Sequence, residues 1–227
     1  MDEFPAIDFT ACYQNFDEPV CDVDCGSLCA PHNPSGKPFC CDICQAVPAV
    51  YRQEWQYLQS ATNLWHEWKE VECGQTRTES ETIQENTPEN MQLLACLGPA
   101  HCQREYRSLS CRQFPFFPYF TEDYRFIGLA YEWHFERTCW VISHLAQVRM
   151  AYRKSFIATF DGLFDLWPQE MDNYAALSAE MREDFIQQHR RIPILHRNGK
   201  DYLLSPGSER LRRVDLLTLP RQGVYRV

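Results

Sequence analysis

Six of the twelve cysteines in this 227-residue chain fall between Cys21 and Cys44, in a stretch whose other residues favour turns. The spacing reads Cys21-x3-Cys25-Gly-x2-Cys29, ten residues, then Cys40-Cys41-x2-Cys44, interspersed with Pro31, Asn33, Pro34, Gly36 and Pro38. Such residues set turns rather than helices or strands, and the first 46 residues need something other than a hydrophobic core to order them. Short Cys-x2-3-Cys spacings let one turn aim two sulfurs at an ion, while Gly26 and Gly36 relax the backbone where it bends. Adjacent Cys40 and Cys41 point to different sides of an extended chain, so one ligates while its neighbour packs or serves a second site.

A second group follows, Cys96-Leu-Gly-Pro-Ala-His-Cys102, then eight residues, then Cys111-Arg-Gln-Phe-Pro-Phe. The two groups together predict a metal centre, zinc or a 4Fe-4S cluster, drawing ligands from Cys21, Cys25, Cys29, Cys40, Cys41, Cys44, Cys96, Cys102 and Cys111. Binding of this kind is also folding free energy, on the order of 10 kcal/mol for structural zinc thiolates. Four thiolates leave a net negative charge on such a centre, and Arg112 beside Cys111 is the guanidinium expected to offset it. His101 could replace one thiolate, and Cys139 is either a late ligand or a reactive thiol. His134 and His144 read as core or surface histidines, and Cys12 and Cys73 as small buried hydrophobes.

Metal is favoured over disulfides because the cysteines are clustered, and because Met1 to Phe16 lacks the basic and apolar regions of an export signal. The chain is expected to be cytoplasmic, with no membrane segment, since no stretch approaches the roughly 20 apolar residues that a spanning helix needs. Net charge is -9, with the 41 residues from 187 to 227 at +6 against -15 for the rest. An acidic body opposes phosphate binding, so nucleic acid is not expected, and the basic tail is left as a surface for an unknown protein partner.

Apolar periodicity predicts helices over 48–72, 121–135, 139–165 and 170–189, with Trp65 and Trp68 on the buried stripe of the first. Residues 74–90 hold one large aliphatic side chain, Ile83, and read as a loop. Asn198-Gly199 between Ile192–Arg197 and Lys200–Leu204 predicts a hairpin, and 210–219 a further strand or helix. The expected fold is mainly α, with irregular metal-bound cysteine loops and a small C-terminal β-hairpin. It divides into a cysteine-rich segment 1–46, a helical body 47–190 completing the metal site and a basic hairpin region 191–227, expected as parts of one integrated domain.

The Cys40-Cys41 pair followed by VPAVYRQEWQYL, and the Cys-x5-Cys-x8-Cys-Arg-x-Phe-Pro-Phe stretch, resemble the YkgJ-like cysteine-cluster proteins, described as zinc- or iron-chelating domains. The resemblance covers roughly residues 21 to 120, with CRQFPF at Cys111 to Phe116 its most specific part. The family's first cysteine run is compact, whereas ten residues separate Cys29 from Cys40 here and Cys44 is additional. Flagellin lysine methylases look like distant relatives, which implies a cluster-dependent modifying enzyme as an alternative. No phosphate loop, nucleophile elbow or His-Glu-x2-His helix accompanies it, and Glu67, Glu70 and His66 read as a solvated face, so enzymatic activity stays open. A secreted, disulfide-rich interaction protein is the third reading.

Overall fold

The computed structural model describes residues 4–74, 83–85 and 87–226. The expected loop 74–90 lies largely outside them. The chain divides into two units, each assembled from separate pieces: Ala6–Gln14 with Gly26–Gln113, and Met1–Pro5 with Asn15–Cys25 and Phe114–Val227.

The first unit is organised on a three-stranded antiparallel sheet. Strand β3 (Met91–Cys96) lies between β1 (Ala49–Tyr51) and β2 (Trp65–Glu67), with Ala49 opposite Leu93 and Trp65 opposite Cys96. Helix α1 (Phe9–Asn15) begins in this unit, α2 (Cys25–Cys29) leads into it, and α3 (Arg52–Ala61) and α4 (Leu109–Gln113) complete it. The single helix expected over 48–72 is therefore two strands flanking a ten-residue helix. Val50 and Tyr51, a β-branched and an aromatic side chain, are buried against a partner strand some forty residues away, beyond the reach of any local periodicity. The helix stops at Thr62, which turns extended and accepts a hydrogen bond at its side-chain oxygen from the Leu64 amide. Trp65 and Trp68 are buried as expected, but from a strand and its exit.

The second unit carries a five-stranded antiparallel sheet in sequential order: β4 (Phe116–Phe120), β5 (Phe126–Tyr131), β6 (Ile192–His196), β7 (Asp201–Leu204) and β8 (Leu211–Arg213). The fold is thus not mainly α with a small hairpin; it combines helices with two antiparallel sheets. The Asn198-Gly199 hairpin forms, with Gly199 at φ 79°, but it occupies the middle of a larger sheet. The largest departure is β5, where FIGLAY, buried at every position, is a strand inside the span expected to be helical. A short apolar run carries no period that separates a fully buried strand from a helix. Gly128 settles it: a Cβ there would lie 2.4 Å from the Leu195 carbonyl oxygen, so only glycine lets β5 close on β6.

The segment expected as one helix over 139–165 is broken into α5 (Trp140–Ser143) and α6 (Met150–Leu166), with a 3-10 turn at Leu145–Gln147 between them. Helix α7 (Glu170–Gln187) matches its expected span closely. Phe156, Phe160 and Phe164 of α6 form a run of aromatic contacts that continues to Phe120 and Phe126 of the sheet and to Tyr174 of α7. Helix α7 also closes the end of edge strand β4: the Ser178 hydroxyl accepts from the Phe120 amide (2.9 Å), and Arg182 donates to the Phe120 carbonyl (2.8 Å). Pro118 is tolerated because β4 is an edge. Among the described residues no helix is long and apolar enough to cross a membrane.

Phe160 is fully buried in the aromatic run. Phe160→Ala is expected to lower the unfolding free energy by about 3–5 kcal/mol, read from urea melts; a loss under about 1 kcal/mol would contradict this packing.

Candidate functional site

Four cysteines from three segments of the first unit influence one another. Cys41 ends a 3-10 turn at Phe39–Cys41, Cys96 ends β3, Cys102 follows the 3-10 turn Pro99–His101, and Cys111 lies in α4. Burial raises the Cys96 thiol, and the neighbouring Cys41 and Cys102 sulfurs raise it further. Burial also pushes Cys111 up to about 12, with Cys96 and Cys41 adding to it. Negative charge from neighbouring sulfurs disfavours the Cys96 and Cys111 thiolates, a penalty that a cation would relieve.

The guanidinium at these sulfurs is Arg107, not Arg112. Arg107 Nε donates to Cys102 Sγ at 3.2 Å. Burial lowers the Arg107 pKa, but the Cys102 bond and the charges of Cys102, Cys41 and Cys111 outweigh it and leave the value raised. Arg112 instead points into protein: it donates to the carbonyls of Arg107 (2.8 Å), Glu105 (2.9 Å), Arg104 (3.1 Å) and Tyr13 (3.3 Å), with its guanidinium 4.4 Å from the Tyr13 ring centre. Its role corrects the expectation drawn from its place beside Cys111. It folds the 104–107 turn that presents Arg107, a turn also pinned by Trp65 Nε1 on the Tyr106 carbonyl (2.9 Å). Arg107 shares no motif with the cysteines, so only the fold reveals it.

A second network orders the cysteine loop. Asp42 accepts from Asn33 Nδ2 (3.0 Å), the Ser35 hydroxyl (2.7 Å) and the Cys44 amide (3.2 Å). Burial acts to raise its carboxyl, yet these bonds hold it below the usual carboxylate range. The turn-rich composition is thereby stabilised by a polar hub as well as by sulfur.

The remaining candidates separate. Cys44 forms a disulfide with Cys73, Cα atoms 5.2 Å apart, which removes Cys44 from the thiolate set and corrects the view of Cys73 as a small buried hydrophobe. The other ten cysteines are outside disulfides. Cys40 Sγ lies 4.0 Å from Cys41 Sγ, and Cys29 Sγ donates to the Gly26 carbonyl. Cys21 and Cys25 belong to the second unit, where a hydrogen bond from Cys25 is the main reason that the Cys21 thiol falls to about 7. Cys139 is buried at the start of α5, and His144 stacks on Trp140 at 4.2 Å with Nδ1 against the Trp140 carbonyl, a structural role. His101 is exposed at the end of its turn. Among the described residues, no three or more His, Cys, Asp or Glu side chains converge closely enough to hold a single metal ion.

Behind α4 lies a fully buried carboxyl, Glu54. Its Oε1 accepts from the Tyr13 hydroxyl and from the Leu109 amide at the start of α4, while Oε2 has no partner in hydrogen-bond geometry. Burial pushes the carboxyl up to about 7 from 4.5, against the lowering effects of Tyr13, the Leu109 and Tyr51 amides and Arg112. Cys12, itself raised to about 12 by burial, also faces it.

No family model, curated protein or solved structure matches the chain, so the YkgJ-like resemblance rests on its motifs alone.

Because the folded-state value of Glu54 lies above its ordinary one, protonation favours the fold. That contribution is complete below about pH 4.5 and is lost as pH rises through about 7. Glu54→Gln keeps the Oε1 acceptor without the charge. Between pH 4 and pH 8 the wild-type unfolding free energy is expected to fall by about 3 kcal/mol relative to this variant; parallel pH profiles would refute the assignment.

Proposed function

We propose that the protein binds a 4Fe-4S cluster through Cys41, Cys96, Cys102 and Cys111, in a structural or electron-transfer role. The observation that carries this reading is the Arg107 Nε donation to Cys102 Sγ (3.2 Å), with the charges of Cys41 and Cys111 also acting on Arg107. Thiols with an adjacent guanidinium suit a thiophilic, net-negative centre. A single zinc ion would draw four sulfurs to about 2.3 Å from one point. In a cluster each thiolate takes its own iron, so the sulfurs stand farther apart.

When bound, the cluster supplies reversible one-electron transfer. Cys41, Cys96, Cys102 and Cys111 would hold the cluster, with Cys96 and Cys111 half-buried and Cys102 exposed, and Arg107 would offset charge by hydrogen bonding to sulfur.

Protein purified without oxygen is expected to contain iron and acid-labile sulfide and to absorb broadly near about 400 nm. Cys111→Ser should lose both. Colourless, iron-free protein from anaerobic, iron-supplied cells would overturn the proposal. Arg107→Gln should retain the iron but shift the reduction potential negative, because a thiolate loses its donor and its neighbouring charge; an unchanged potential would remove Arg107 from this role.

The Cys44–Cys73 disulfide favours a second reading, a disulfide-stabilised interaction protein from an oxidising compartment. Acid-treated protein, unfolded without reductant, distinguishes the two: ten titratable thiols accord with the cluster, and none would accord with the disulfide reading.

A further inference from the structure

Strand β2 leaves β3 early. Its last paired residues are Glu67 and Leu94, after which the Trp68 amide makes one further bond to the Leu93 carbonyl (3.2 Å). Beside Met91–Leu93 lies a pocket of about 340 Å³ whose walls include Arg52, Glu67, Trp68, Glu89 and Gln92. Two of these wall residues hold an unmet donor: Trp68 Nε1 and Gln92 Nε2 are buried and have no hydrogen-bond partner. Trp68 as a whole is 7% exposed. Buried N–H groups almost always find an acceptor, so two without one in the wall of a single pocket call for an explanation.

The charges around the pocket narrow the answer. Arg52 is exposed, with its Nε on the Glu89 carbonyl (2.9 Å), and brings a guanidinium to the same wall set. Glu67 and Glu89 bring two carboxylates. A simple anion would be repelled by the two carboxylates, and a simple cation would leave both N–H groups unmet. A molecule with a carboxylate at one end and an ammonium at the other answers both. The volume sits near the lower end of ligand pockets, which suits a small molecule rather than a drug-sized one.

We propose that this pocket binds a free α-amino acid, its carboxylate taken by Trp68 Nε1, Gln92 Nε2 and Arg52 and its ammonium by Glu67 and Glu89. Solvent reaches neither nitrogen in the ligand-free protein, so seating the ligand turns the indole or the amide toward it. Trp68 fluorescence therefore reports binding.

The test is calorimetric titration of the full chain with each of the twenty standard amino acids, followed for the tightest by its decarboxylated amine and its deaminated acid. At least one amino acid should bind saturably, and each analogue should bind roughly tenfold more weakly or worse, as expected for loss of a charged hydrogen-bonding group. Trp68→Phe and Gln92→Met should each weaken binding by about tenfold, and Trp68→Phe should abolish the fluorescence change. Arg52→Gln, on an exposed side chain, should weaken binding as well and guards against a Trp68 variant that fails to fold. The proposal is overturned if no amino acid binds at about 10 mM, if the amine or the acid binds as tightly as the parent, or if Arg52→Gln and a folded Trp68 or Gln92 variant match the wild type.

Discussion

A guanidinium keeps its charge in a protein, so burying one obliges the chain to bring acceptors to it. Arg112 is 9% exposed, and its requirement organises the thiol-bearing unit. The carbonyls of Arg104, Glu105 and Arg107 curl around it, and that of Tyr13 comes from ninety-nine residues away. The curled turn presents Arg107 to Cys102. Tyr13, held under the guanidinium, donates to Glu54, which in turn receives the first amide of α4, the helix that carries Cys111. One buried cation and one buried carboxyl thus hold the turn that carries Arg107 and the helix that carries Cys111.

Polar satisfaction also shapes the five-stranded unit, though there it finishes an aromatic core rather than founding it. Phe156, Phe160 and Phe164 provide the apolar area, and Ser178 and Arg182 then satisfy the last amide and carbonyl of β4. Arg182 reaches Glu209 as well, at 3.3 Å, so its charge is matched where it leaves the core. The opposite edge, β8, is exposed at all three residues and carries Arg212 and Arg213, charges that discourage unwanted strand pairing.

The sulfur chemistry divides along lines of burial and partner. Cys111 and Cys96 are raised by burial and by neighbouring sulfurs, whereas Cys21 is lowered chiefly by a donated hydrogen bond from Cys25. Cys44, exposed and only three residues from Cys41, is paired with Cys73. Twelve similar side chains therefore occupy at least three chemical situations, and spacing along the chain does not separate them.

The sequence by itself determined the features whose physics is local: the Asn198-Gly199 turn and the span of α7; the first cysteine stretch, expected as turns, contains the helix Cys25–Cys29. Tertiary structure decided whatever depends on a distant partner. FIGLAY is a strand because β4 and β6 flank it and Gly128 admits the backbone of Leu195. Residues 49–51 and 65–67 are strands because β3 lies between them, where helical spacing alone had joined them into one helix. Cys44 left the thiolate set because the fold brings it to Cys73, and Arg107 took the place expected of Arg112 because Arg112 is consumed by carbonyls. A side chain's neighbours along the chain reveal its chemistry, but the groups that must be satisfied around it in space decide where that chemistry is used.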